Sequence, residues 1–182
     1  MNRCKWCNLK NEKYIDYHDK EWGILNTDEK YLYEMFILET FQAGLSWECI
    51  LNKKEFFEKS YDYFDIDKVV NYDEKKINEL MNNKNIVRNK NKIISSINNS
   101  KIYKSIILEC GSFYNYLKIF TKGKIYYELN KTTNKKSDSI SKDLFKRGMH
   151  YVGSITIYSY LQAIGIINSH EKDCFLYKKS ML

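Results

Sequence analysis

Along NTDEKYLYEMFILETF, residues 26–41, the apolar positions Leu32, Met35 and Phe36 fall at the i, i+3, i+4 spacing of one helical face. The next position on that stripe, i+7, is Glu39. The spacing predicts a helix over 27–41, with Asn26 as its N-cap and Glu29 as the capping-box partner three positions on. Gln42, Ala43 and Gly44 break the pattern, and SWECILNKKEFFEKSY (46–61) predicts a second helix capped by Ser46. Further helical patterns cover 65–70, 73–82 and 85–109, and GSFYNYLKIF (111–120) follows. Residues 128–139 are polar and predict a mobile loop. The chain then reads as helix, tight hairpin (MHYVG, 149–153) and helix over about 139–165. Residues 1–25 show no sustained period and predict an irregular arm; 165–182 predict a tail.

Composition sharpens this to an all-α chain. There is no proline and only seven glycines, too little turn chemistry for a sandwich or barrel. An apolar fraction of 43% supports a packed core, and 182 residues suit a single domain, 1–182. The start, MNRCKWCNLK, has no apolar signal core, and no run of 18 apolar residues occurs. The expectation is a soluble cytoplasmic protein with no membrane partner. A net charge of +7 points to a polyanionic partner, with basic residues gathered over Lys84–Lys104 and Lys131–Arg147. Charge alone fits a solvated lysine-rich surface equally well.

Five cysteines (Cys4, Cys7, Cys49, Cys110, Cys174) without a secretion signal read as thiolate ligands or buried thiols rather than disulfides. In NSHEKDCFLYKK (168–179), His170 and Cys174 are four apart, which on a helix stacks them on one face. The chain has three histidines, His18, His150 and His170. Cys4 and His18 with His170 and Cys174 would complete a Cys2His2 tetrahedron, although Cys7 rivals His18 because Cys4 and Cys7 form a chelating turn by themselves. Separate buried cysteines and surface histidines fit the spacing as well. HEKDC is similar to the HExxH helix of zinc peptidases, but four protein ligands would leave no open position for water. Such a metal would be a staple between the chain's two ends.

Glu39 is the other anomaly, since an acid on an apolar face is costly to bury unless something pairs with it. An acid at a helix end can reach solvent or an orphan amide, and that reading competes with a functional one. All three tryptophans (Trp6, Trp22, Trp47) and Tyr17 lie in the first 47 residues. Around a buried acid they would form a slot for a flat cationic or amino-bearing ligand, though Trp22 fits core packing equally.

Taken together, CKW (4–6), YHDKEWG (17–23), LETFQAGLSW (38–47), KRGMHYVG (146–153) and HEKDC (170–174) resemble the 3-methyladenine DNA glycosylase I family, in the family's order from Cys4 to about Cys174. The resemblance implies a helix-hairpin-helix DNA glycosylase fold and excision of N3-methyladenine from double-stranded alkylated DNA; a monomer is the expectation, though the sequence does not fix oligomeric state. The resemblance also implies one structural Zn2+ held by Cys4, His18, His170 and Cys174, leaving out Cys7 and His150, and no organic cofactor. Glu39 and Tyr17 would be the catalytic pair, hydrogen-bonding the flipped base while Trp47 stacks on it and Trp6 lines the pocket. Gln42, Gly44 and Leu45 would fill or wedge the gap in the duplex. Arg147, Gly148, Val152 and Gly153 would belong to the hairpin that grips phosphate. Independently, a base cannot be reached inside the stack, so such chemistry needs flipping, a wedge and a sequence-blind anchor.

Two positions depart from the wider helix-hairpin-helix glycosylases. Ile155 stands where many members carry a Schiff-base lysine, and Asn168 where many carry an aspartate. The expectation is a monofunctional enzyme with no lyase step, acting on a base already cationic. Met149 replaces a usual phenylalanine, with no functional change expected. Two other functions fit the same residues: a zinc-stapled DNA-binding module without activity, and a zinc hydrolase using HEKDC.

Overall fold

The structure, a computed structural model, describes residues 1–177. Among them the helices are α1 (Glu12–Lys20), α2 (Glu29–Gln42), α3 (Trp47–Leu51), α4 (Lys54–Ser60), α5 (Ile66–Val69), α6 (Glu74–Asn82), α7 (Lys90–Cys110), α8 (Phe113–Thr121), α9 (Lys135–Lys146) and α10 (Ser154–Ala163). The fold is mostly helical. Two-residue strands β1 (Tyr126–Tyr127) and β2 (Ile167–Asn168) pair in parallel, a small addition to an all-α expectation.

The central helix is α2, which packs against α7, α8 and α10. Leu32, Met35, Phe36, Ile37, Leu38 and Phe41 are all buried, so its apolar surface goes round the helix instead of forming one stripe. Its N-cap is Asp28, whose carboxylate accepts from the Tyr31 amide at 2.9 Å; Asn26 lies outside and accepts from the Asp28 amide. Glu29 makes no capping box, because its carboxylate accepts from the Tyr103 hydroxyl and the Phe113 amide and ties α2 to α7 and α8. At the other end, Ser46 caps α3 as expected by accepting from the Cys49 amide. The 46–61 stretch is two helices, since the polar run Asn52–Lys53–Lys54 offers nothing to bury at the joint and α4 restarts to turn Phe57 inward.

The first 25 residues are not wholly irregular. Helix α1 buries Tyr17 and His18, an aromatic and polar face that apolar periodicity misses. Asn8 and Asn11 both donate to the Glu48 carboxylate, bracing the arm on α3. The arm then crosses the end of α10: the Gly23 amide donates to Gln162 O and the Asn26 amide to Ile164 O. Gly165 permits that crossing, because a Cβ there would lie 2.0 Å from the Ile24 carbonyl carbon, and its φ is +77°.

Helix α9 begins at Lys135, inside the stretch expected as a loop. Asn134 and Ser137 form a reciprocal capping box, and Ile140 and Leu144 supply the buried face. The pairing of β1 with β2 holds the 128–134 turn beside the tail.

Candidate active site and metal centre

The two ends of the chain meet at Cys4, His18, His170 and Cys174, all buried, with one ligand atom from each within 4.8 Å of the others. Residues 170–174 form turns rather than a helix; the ligands are brought together by tertiary packing, with the Cys174 amide donating to Glu171 O. The Cys174 Sγ lies 3.5 Å from both His18 Nε2 and His170 Nδ1, and the Cys4 Sγ lies 3.5 Å from His170 Nδ1. A tetrahedral metal with bonds of about 2.0–2.3 Å puts its ligand atoms about 3.5 Å apart, so the donor set fits such an ion.

The outer atoms support the same arrangement. His18 Nδ1 is 2.7 Å from the Asp19 carboxylate, which Arg3 holds in turn, and His170 Nε2 is 3.1 Å from Trp22 O. Each ring can therefore donate outward and present a lone pair inward, the usual second contact of a metal-bound histidine. The Glu171 amide donates to Cys4 Sγ and the Leu176 amide to Cys174 Sγ. Burial first, and then the neighbouring Cys174 thiol and Glu171 carboxylate, push the Cys4 thiol up to about 12, and a divalent cation is what makes a thiolate stable in such a place. Cys7 is buried elsewhere, facing Tyr14 O, and His150 is exposed on the hairpin.

Behind this centre lies a cavity of about 320 Å3. Trp6, Trp22, Tyr14, Tyr17 and Trp47 supply its aromatic lining, with Glu39 and Gln42 from α2. Trp22 packs edge-on against His170 (4.8 Å between centroids) and Trp6 (4.7 Å), and Trp6 lies 5.2 Å from His18. The Cys2His2 cluster and one cavity wall are thus one packed unit. Tyr17 sits 5.1 Å from Trp47, tilted 44°. Trp22 serves both wall and core.

Glu39 is 3% exposed, and among the described residues no group hydrogen-bonds its Oε2; Trp47 Nε1 is also buried with no partner among them. Burial pushes the Glu39 carboxyl up to about 8 and raises the Tyr17 phenol as well. A buried unpaired carboxyl costs stability, and a cavity beside it is where a ligand would recover that cost.

The loop after α2 is exposed at Leu45, and Gly44 has φ +78°, a conformation that favours glycine. In the hairpin, the Gly148 amide donates to Phe145 O, Met149 to Leu144 O and His150 to the Asn99 side chain. The amides of Tyr151, Val152 and Gly153 meet no acceptor among the described residues and lead into the N-terminus of α10. Met149 and Val152 are buried, so the methionine fills its core position. Arg147 donates to both Glu109 and Asp143 and lies over Tyr116; to meet phosphate it must exchange carboxylates. Asn168 is committed to structure, donating to Gly23 O and accepting from the His170 amide. Ile155 is exposed.

Sequence patterns missed Tyr14, Ser159, Gln162, Ser169 and the 129–131 turn, which also line the cavity. Tyr14 sits three positions before Tyr17, a helical spacing that could have flagged it. The others carry no signal in the chain, because only packing turns them toward Glu39. Among the described residues, no helix is long and apolar enough to cross a membrane.

The methyladenine glycosylase family model matches residues 6–177. The chain is 36% identical to DNA-3-methyladenine glycosylase 1 of Escherichia coli (strain K12) over 97% of both chains, and 34% identical to DNA-3-methyladenine glycosylase of Haemophilus influenzae over 94% of this chain and 96% of that one. A crystal structure of a 3-methyladenine DNA glycosylase I superposes with TM-score 0.92 at 33% identity, covering 97% of this chain and 100% of that one. Another, solved with 3-methyladenine bound, superposes with TM-score 0.90 at 33% identity, covering 96% of each. With the family model matching residues 6–177 and these relatives aligned over nearly the whole length, the chain belongs to the methyladenine glycosylase family.

Proposed function

We propose that this protein removes 3-methyladenine from alkylated double-stranded DNA by hydrolysing the N-glycosidic bond, with Glu39 and Tyr17 binding the flipped base. The observation that carries this is the buried, unpaired Glu39 carboxyl opening into a cavity walled by tryptophan and tyrosine. A DNA-binding module has no use for such a group.

N3-methylation leaves the adenine cationic and weakens its bond to deoxyribose. Stacking on Trp47, beside Trp6, suits a flat cation. Glu39 accepts from the 6-amino group, and the base's positive charge draws the carboxyl toward its ionised form. Tyr17, whose raised pKa keeps its hydroxyl protonated, serves as a donor at the base edge. When the bond from C1′ to the base breaks, its electron pair stays on the base and neutralises it; water adds to C1′ and releases a proton. The leaving group is already good, so the pocket supplies orientation and charge. With Ile155 in the place of the Schiff-base lysine, that amine is not there to attack C1′, and the strand stays whole.

Gln42, Gly44 and Leu45 occupy the gap left by the flipped nucleotide, and the amides of Tyr151 to Gly153 hold phosphate. Arg147 adds charge at the hairpin's edge, and Gly148 with φ +94° makes the turn possible. Cys4, His18, His170 and Cys174 hold Zn2+, the ion that suits two thiolates and two imidazoles in a closed shell. The metal joins the ends of the chain and lets Trp6 and Trp22 stand where they do. The enzyme acts as a monomer inside the cell, where its DNA is.

Incubating purified protein with methylated DNA and separating the released bases tests this. Release of 3-methyladenine, very little 7-methylguanine and unbroken strands is the expected result. A methylated guanine offers an O6 acceptor to the Glu39 acceptor, a mismatch of roughly 1–3 kcal/mol or more. Equal release of both bases, or strand cleavage, would overturn the assignment.

A further inference from the structure

Both DNA-facing segments hang from one helix. Lys92, in the first turn of α7, is only 8% exposed. Its ammonium donates to Phe41 O (2.7 Å) and Ala43 O (2.6 Å), the carbonyls left over where α2 ends, and sits 5.7 Å from the centre of the Tyr151 ring. One residue past Ala43 comes Gly44 and then Leu45. Seven positions along α7, on the same face, the side chain of Asn99 clasps the hairpin: its Nδ2 donates to His150 O (2.8 Å) and its Oδ1 accepts from the His150 amide (2.9 Å). Asn98 adds a bond to Gly148 O.

No carboxylate pairs with Lys92 among the described residues. A buried ammonium with only carbonyls and a ring face is a poor way to gain stability, since an apolar side chain would fill the place at lower cost. It is a good way to fix geometry. The ammonium holds the negative end of α2 and the hairpin's ring at once. Seven residues of helix rise about 10 Å and do not stretch, so α7 sets the distance between the two attachments.

We propose that Lys92 is a positioning residue that, with Asn99, fixes the Leu45 loop against the phosphate-gripping hairpin, so that the wedge enters the duplex in register with the anchored backbone. This rests on the glycosylase reading above and on Leu45 as the wedge. Lys92 acts through the Ala43 carbonyl and Tyr151, without touching base or phosphate.

The test compares Lys92→Met, which keeps the stem and loses the donors, with Lys92→Arg, which keeps donors and charge. Three readouts separate positioning from a general structural role. The first is wedge insertion, followed by fluorescence of a 2-aminopurine beside an abasic-site analogue. The second is single-turnover release of 3-methyladenine from methylated DNA. The third is affinity for free 3-methyladenine, together with the salt dependence of binding to undamaged duplex.

Lys92→Met is expected to lose the fluorescence change and to slow release at least tenfold, with free-base affinity and salt slope unchanged. Lys92→Arg should recover release to within about threefold of wild type. Adding Lys92→Met to Leu45→Ala should slow release no further than Leu45→Ala alone. A fall in free-base affinity, a salt slope smaller by about 1, or additive losses in the double variant would overturn the proposal. Should Lys92→Met fail to fold, Asn99→Ala carries the same readouts with no charge change and the same expectation. If the wild type released no base, the glycosylase reading would fail first. If Leu45→Ala cost nothing, the wedge would fail; in either case this proposal falls with it.

Discussion

The Cys2His2 cluster and the aromatic cavity lie back to back across Trp6 and Trp22, and both bury polar atoms that an apolar core would exclude. In the Cys2His2 cluster the four candidate ligand atoms face one another, and the outer nitrogens of both imidazoles lie against oxygens. Beside the cavity Glu39 Oε2 and Trp47 Nε1 are buried with no hydrogen-bond partner among the described residues. The same local cost, burial of polarity, is offset within the fold on one side and left for a ligand on the other. A satisfied cluster holds a structure together; an unsatisfied one next to a void marks where binding happens.

Breaking the satisfied side should have the largest effect. Cys174→Ser removes one ligand of a closed shell and is expected to abolish tight metal binding, at a cost on the order of 5 kcal/mol. Melting should fall by roughly 10 °C or more, checked by calorimetry and metal analysis. Because Trp22 rests on His170, affinity for free 3-methyladenine should fall as well; unchanged affinity in the metal-free protein would separate the two regions that share this wall.

Breaking the unsatisfied side should do the reverse to stability. Glu39→Gln is expected to slow base release about a hundredfold or more while raising the melting temperature at pH 8–9. The sign follows from the carboxyl. Its folded pKa of about 8 lies above the ordinary 4.5, so the folded protein keeps a proton that the unfolded chain has lost between those values. The stabilising contribution is complete below 4.5 and is lost as pH rises to about 8, on the order of a few kcal/mol in all. Glutamine carries no such loss. A lower melting temperature for the variant at pH 9 would contradict this account of the site.

The pH profile sharpens the same point with a smaller effect. In the free enzyme below about pH 8 the carboxyl is protonated and must lose that proton to meet a cationic base. Thus kcat/KM should fall up to tenfold per unit on the acid side, and this limb should be missing in Glu39→Gln. Least of all, Arg147→Ala should weaken duplex binding only about threefold, because its guanidinium is shared with Glu109 and Asp143. The loss should be equal across sequences and shrink with salt; loss confined to one sequence would point to base reading.

Much of this was legible in the chain. The interrupted stripe at Glu39 marked the acid, the scarcity of histidine narrowed the ligands, and the family motifs chose among the rest. Where local reading failed, packing had intervened. His170 and Cys174 meet across turns, although their spacing suggested a helix. Glu29 bonds to α7 and α8, so its place in a capping box went unused. Arg147 looked free for phosphate and is held by two carboxylates, one of them 38 positions away.

The sequence by itself determined which chemistry this protein carries: two thiols, two imidazoles, a carboxyl amid aromatics and a glycine-bearing hairpin, each visible because residue type and spacing are local properties. Only the tertiary structure decided which of them are satisfied. It left Glu39 Oε2 without a hydrogen-bond partner among the described residues, turned Ser159, Gln162 and Ser169 onto the same cavity, and set Lys92 between the Leu45 loop and the hairpin. Satisfaction of a buried polar atom depends on groups far away along the chain, and no period or motif records that distance.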